Sequence, residues 1–109
     1  MEELDGADGG VGSAEITFDA DGVPTIELTG EIDMSNVDSL RSLIEPVVAR
    51  SPERVVFDLS QLTFMDSSGI ALLLQVSAKT TTVSLRQPSA LIRRMIDATG
   101  LTDVLVVEP

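Results

Sequence analysis

The amino-acid sequence predicts a single α/β domain built on a mostly parallel sheet, and three observations carry that prediction. Runs of period-two alternation are interleaved with apolar stripes at helical spacing, the pattern of strands alternating with helices. An Asp21-Gly22 pair separates the first two alternating runs, so the chain opens as an antiparallel hairpin. The 109 residues are 43% hydrophobic, which suffices for one core and is too little chain for two. Helices are expected to pack on the central sheet.

In chain order, residues 1–13 place Glu2, Glu3, Asp5 and Asp8 among glycines, too polar to offset chain entropy, and read as a disordered acidic tail. The folded domain is assigned to residues 14–109. Ile16 and Phe18 alternate with Glu15 and Thr17, and after a type I′ turn Ile26 and Leu28 alternate with Glu27 and Thr29. Ser35 with Asp38 reads as an acidic capping box for a helix whose apolar stripe is Val37, Leu40, Leu43, Ile44, Val47 and Val48. Pro46 should kink or shorten that helix, and Ser51-Pro52 should break the chain.

Val55, Val56, Phe57 and Leu59 suit a strand buried on both faces. A loop is expected over residues 60–69, held down by Leu62, Phe64 and Met65, before a second helix carrying Ile70, Leu73 and Leu74. A strand with Val83 and Leu85 inward comes next. Pro88-Ser89 opens a third helix with Leu91, Ile92, Met95 and Ile96 on one face, and Gly100 ends it. Val104 to Val107 is a last short strand or extended tail. The order is ββαβαβαβ.

Composition removes whole classes of chemistry. With no Cys and no His there is no disulfide framework, no histidine base for a triad and no ordinary zinc site. Neither Gly-rich nucleotide fingerprint occurs, so no cofactor is expected. A net charge of −11 repels phosphate backbones and anionic lipid heads, and either favours basic partners or simply aids solubility. The longest apolar run, Ile70 to Leu74, is too short to cross a bilayer, and the acidic N-terminus is unlike a signal peptide, so the expected location is the cytoplasm. Glu31 with Asp33 invites an acid–base reading, but turns favour acidic residues anyway. Asp33, Asp38 and Asp66 would make a weak Mg²⁺ site only by converging. Arg93-Arg94 reads most simply as a solvated helix face, with contact to an acidic partner patch as the other reading. No catalytic residue and no metal ligand are assigned.

The informative segment is Phe57 to Ile70, FDLSQLTFMDSSGI, where a buried strand passes into a helix. Two readings fit it. In one, Asp66 or Ser67 is simply an N-cap and Gly69 a tight-turn residue. In the other, the free N–H groups and positive dipole end of the helix tolerate a phosphoserine, which adds roughly −1.5 to −2 charge units beside Asp66 and repels a bound partner.

The run DLSQLTFMDSSGIALLL resembles the signature of the STAS domain, specifically its anti-sigma-factor antagonist branch. The upstream GEIDMSN and the later ATGL are similar to the same family in order and spacing, so the resemblance covers nearly the whole chain from about Ala14. It implies that Ser68, the second serine of D-S-S-G, is phosphorylated by an anti-sigma factor with serine kinase activity and dephosphorylated by a serine phosphatase. It further implies that the unphosphorylated form binds the anti-sigma factor and frees its sigma factor. Asp33, Asp66, Ser67 and Gly69 would shape the partner surface, on a monomer or weak dimer without nucleic acid or membrane insertion. Two other roles attach to STAS domains: a module of an anion or lipid transporter system, and a scaffold subunit of a stress-sensing complex. The transporter modules often lack the serine acceptor, and the intact Ser67-Ser68-Gly69 counts against that role.

Overall fold

The structure, a computed structural model, describes residues 12–108. Five strands and three helices run in the order β1 (Ser13–Phe18), β2 (Pro24–Ile32), α1 (Val37–Val48), β3 (Arg54–Met65), α2 (Ser67–Ser77), β4 (Thr82–Arg86), α3 (Ala90–Ala98) and β5 (Leu105–Val107). The sheet order is β1-β2-β3-β4-β5. Among the described residues only β1 and β2 are antiparallel; every later pair is parallel. The α/β class, the mostly parallel sheet and the opening hairpin are as the sequence predicts. The expected acidic tail falls largely on residues 1–11, which lie outside the described residues, and Ser13 already belongs to β1.

Because the parallel strands are added in one direction, right-handed crossovers place successive helices on the same face. Alternation along the strands shows which one. Ile26, Leu28, Val55, Phe57, Leu59, Val83, Leu85 and Leu105 are fully buried. They form one cluster with Leu40 and Ile44 of α1, Leu72, Leu73 and Val76 of α2, and Ile92 and Ile96 of α3. The opposite face is a polar ladder in which Glu27, Asp58 and Arg86 lie in one row across three strands. There Arg54 donates to Ser84 Oγ at 3.1 Å, and Arg54 and Arg86 both pair with Glu108 at 2.8 and 3.1 Å. Val56 is buried on this face too, so β3 is covered on both sides at its centre, as expected.

Several local expectations are corrected. The hairpin does not use a two-residue type I′ turn. Gly22 takes φ +80°, Asp21 stays at negative φ, and Asp19 closes a longer loop by accepting from Asp21 N–H and Val23 N–H. The N-cap of α1 is Asn36, not Ser35, because Asp33 captures Ser35 and makes the preceding turn. The helix runs through Pro46 and ends two residues later; Ser51 then reverses the chain at φ +50°. Leu43 and Leu91, expected on the buried stripes, are exposed at their edges.

The largest correction concerns residues 60–65, which are strand rather than loop. β3 continues beside β2 to Met65, with Gly30 opposite Leu62 and Ile32 opposite Met65. Two register shifts leave Leu59, Leu62 and Met65 buried at intervals of three, so the period of two disappears from the sequence. Phe64 points outward and is 42% exposed. Replacing Phe57 and Phe64 separately by Ala tests this extension. Phe57→Ala should cost about 3–5 kcal/mol in urea denaturation. Phe64→Ala should cost well under ~1 kcal/mol, as for a surface change. Similar large losses for both would restore the anchored loop.

Candidate functional site

β2 and β3 run parallel and end together, so the residues after each strand are brought side by side. Ile32 and Met65 are register partners, and Asp66 N–H donates to the Ile32 carbonyl at 3.1 Å. Asp33 and Asp66 are therefore the first residues beyond two neighbouring strand ends. Ligands of open α/β sheets are bound at such carboxyl ends.

Asp66 is the N-cap of α2. Its Oδ1 accepts from Ser68 N–H at 2.8 Å and from Ser68 Oγ–H. Its carbonyl accepts from Gly69 N–H at 3.0 Å and more weakly from Ile70 N–H at 3.4 Å. The Ser68 hydroxyl bond is the main reason that Asp66 stays below the usual aspartate value of 3.8. Partial burial opposes that shift, and the backbone N–H groups of Ser68, Gly69 and Met34 reinforce it. Asp66 is thus a carboxylate throughout the neutral range, and it fixes where the Ser68 hydroxyl points.

The other predicted residues divide into surface and support. Ser67, the first residue of α2, is exposed and lines an apolar groove with Ile70, Met95, Ala98 and Thr99 at the junction of α2 and α3. Ser68 is half-buried. Gly69 is buried, and a Cβ there would meet Met65 Cβ at 2.9 Å and Sδ at 3.0 Å. Its function is close approach of the helix to β3, not a surface contact or a tight turn. Asp33 is half-buried and held within its own turn.

Asp33, Asp38 and Asp66 do not converge. Asp38 pairs with Arg41 on α1, and among the described residues no three acidic side chains gather where they could hold a metal ion. Arg93 and Arg94 are both exposed on α3. The sequence reading missed three contributors to this edge. Asn36 ties the Asp33 turn to β2, accepting from Asp33 N–H at 3.0 Å and donating to the Glu31 carbonyl at 2.8 Å. Met34, 80% exposed, and Phe64 put large apolar side chains at the same end of the sheet. An apolar residue flanked by Asp33 and Ser35 was the available signal for Met34.

Two measurements check this geometry. Ser68→Ala removes the bond that chiefly lowers Asp66, so a carboxyl NMR titration should show the Asp66 pKa rising towards its usual value. Because the folded value is depressed, the stability Asp66 contributes is complete above its unfolded pKa and lost as pH falls through the folded one. Acid unfolding of Asp66→Asn should lack that component. Gly69→Ala, which overpacks Met65, should cost about 1–3 kcal/mol in urea denaturation.

Comparison with known proteins places this edge in context. Residues 16–108 match the family model described as Mlab, STAS domain. Over 61 residues the chain is 38% identical to the anti-sigma-F factor antagonist RsfB of Mycobacterium tuberculosis, taking in 56% of this chain and 50% of that protein. The chain thus spans about half the length of that curated relative in the match. The crystal structure of an anti-sigma factor antagonist from Mycobacterium paratuberculosis superimposes with a TM-score of 0.81 at 32% identity, covering 91% of this chain and 86% of that one. The unphosphorylated form of SpoIIAA matches with a TM-score of 0.69 at 23% identity, over 89% of each chain. The phosphorylated form, from Bacillus, matches at 0.66 and 23%, over 89% of this chain and 92% of that one. At that identity the SpoIIAA likeness is one of fold. With a family model covering nearly all the described residues and a solved relative aligned along both chains, this protein belongs to the STAS domain family.

Proposed function

We propose that the chain is an anti-sigma-factor antagonist whose state is set by phosphorylation of Ser68. The observation that carries the reading is the Asp66–Ser68 pair: a hydroxyl presented by a carboxylate at a helix start, on an exposed strand-end edge. The relatives named as anti-sigma-factor antagonists support it. The unphosphorylated chain binds an anti-sigma factor and releases the sigma factor that it holds. The same anti-sigma factor, a serine kinase, transfers a phosphoryl group from its ATP to Ser68, and a serine phosphatase removes it. The chain is a substrate and a binding module, not an enzyme, and acts in the cytoplasm as a monomer or weak dimer. Among the described residues no helix is long and apolar enough to cross a membrane.

The chemistry of release is electrostatic. Ser68 meets the partner as a neutral hydroxyl, with Asp33, Asp66 and Ser67 around it. Phosphoserine adds roughly −1.5 to −2 charge units next to the Asp66 carboxylate and deprives it of its hydroxyl donor. An interface closed over the neutral form then faces repulsion and the cost of desolvating a dianion. Opposing that, the positive dipole end of α2 offsets part of the new charge, so the fold itself tolerates the modification.

The test is calorimetric titration of the host's anti-sigma factor with four forms of the chain. Wild type and Ser68→Ala should bind alike, and the Ser68-phosphorylated protein and Ser68→Glu should bind at least about tenfold more weakly, ~1.4 kcal/mol. Equal affinity for the phosphorylated and unphosphorylated proteins would remove the switch.

A further inference from the structure

The Asp-x-Ser unit of the switch occurs a second time on the same edge. In Asp33-Met34-Ser35, Asp33 Oδ1 accepts from Ser35 N–H at 2.9 Å and from Ser35 Oγ–H at 2.5 Å. Asp66 Oδ1 accepts from the same two groups of Ser68. Each unit directly succeeds one of the register partners Ile32 and Met65, on neighbouring strands about 4.8 Å apart. A protein docked over one unit therefore covers the other.

A third Asp-x-Ser serves as an internal contrast. Ser60 N–H donates to Asp58 Oδ1 at 3.0 Å, but among the described residues no carboxylate holds its hydroxyl, and it lies within β3 rather than at a strand end. Ser35 also differs usefully from Ser68. It is exposed where Ser68 is half-buried, and it lies ahead of α1, whose N-cap is Asn36. Modifying its hydroxyl removes only the bond to Asp33 and leaves the helix hydrogen bonds in place.

We propose that Ser35 is a second phosphoryl acceptor, modified by the same ATP-dependent serine kinase that acts on Ser68. This rests on the reading of Ser68 as the switch. Ser35 Oγ attacks the γ-phosphorus of ATP and forms the new O–P bond. The bond from that phosphorus to the β–γ bridging oxygen breaks, ADP leaves with the electron pair, and the hydroxyl proton passes to a base on the kinase. A second phosphate beside Asp33 adds roughly −1.5 to −2 further charge units to the same edge. The antagonist then has three charge states instead of two, and release becomes graded.

Mass-spectrometric mapping of the chain purified from its native host tests this directly. The first basic residue is Arg41, so trypsin leaves Ser35 on the 1–41 peptide and Ser68 on the 55–79 peptide. Fragment ions should place a phosphate on Ser35 in wild type and in Ser68→Ala, with complete loss of that phosphate in Ser35→Ala. The Ser35→Ala/Ser68→Ala protein should carry none. Phosphate on Ser68 with none on Ser35 would overturn the inference and leave the switch standing. Phosphate on Ser60 at a comparable level would also overturn it, since that hydroxyl lacks the carboxylate. Absence of phosphate from every form would end both readings.

Discussion

The hydrogen bond from Asp66 N–H to the Ile32 carbonyl joins the ends of β2 and β3, and the candidate site depends on that junction. It carries parallel pairing past the two register shifts to the last residue of each strand, so both chain segments leave the sheet at one level. From there Asp33 turns into α1 and Asp66 caps α2. Gly69 lets the first turn of α2 settle on Met65, fully buried beneath it. A looser junction would leave the same residues present but without a shared surface, because a site is only as well defined as the elements that hold it.

On so firm a base, the proposed modification of Ser68 would work through charge rather than movement. The Ser68 hydroxyl and the first N–H groups of α2 are already engaged by Asp66, and the positive dipole end of the helix favours further negative charge there. In the proposed switch the surface offered to a partner would change: the Ser68 hydroxyl beside Asp66 would gain negative charge, on a chain that also exposes Met34 and Phe64. The chain already carries a net charge of −11, so a partner that binds this edge must bring positive or neutral surface close to it.

Much of this was legible in the sequence wherever one physical rule acted alone. The α/β order comes from alternating periods, Ser89 caps α3 as its position suggests, and Gly100 at φ +71° ends that helix. Asp66 and Ser68 stand at a strand–helix junction, as the D-S-S-G run implies. Legibility failed where two rules competed. The bulges in β2–β3 pairing erased the alternation of residues 60–65, and strand pairing prevailed over a loop-like sequence. Asp33 outcompeted the α1 backbone for Ser35, so the capping box never formed and Asn36 took the cap. Leu43 and Leu91 sit at the margins of apolar stripes, where period alone does not distinguish core from rim. The side-by-side placement of Asp33 and Asp66 is a matter of register, which no local pattern encodes.

The most direct test of a switch that acts by charge on an unmoving frame is amide hydrogen exchange on the chain before and after enzymatic phosphorylation of Ser68. Changes should be confined to residues 33–36 and 66–70, with protection of Phe57, Leu59, Leu72 and Leu73 unaltered. Loss of protection along α2 and β3 on phosphorylation would contradict a charge switch, and would make the mechanism a local unfolding instead.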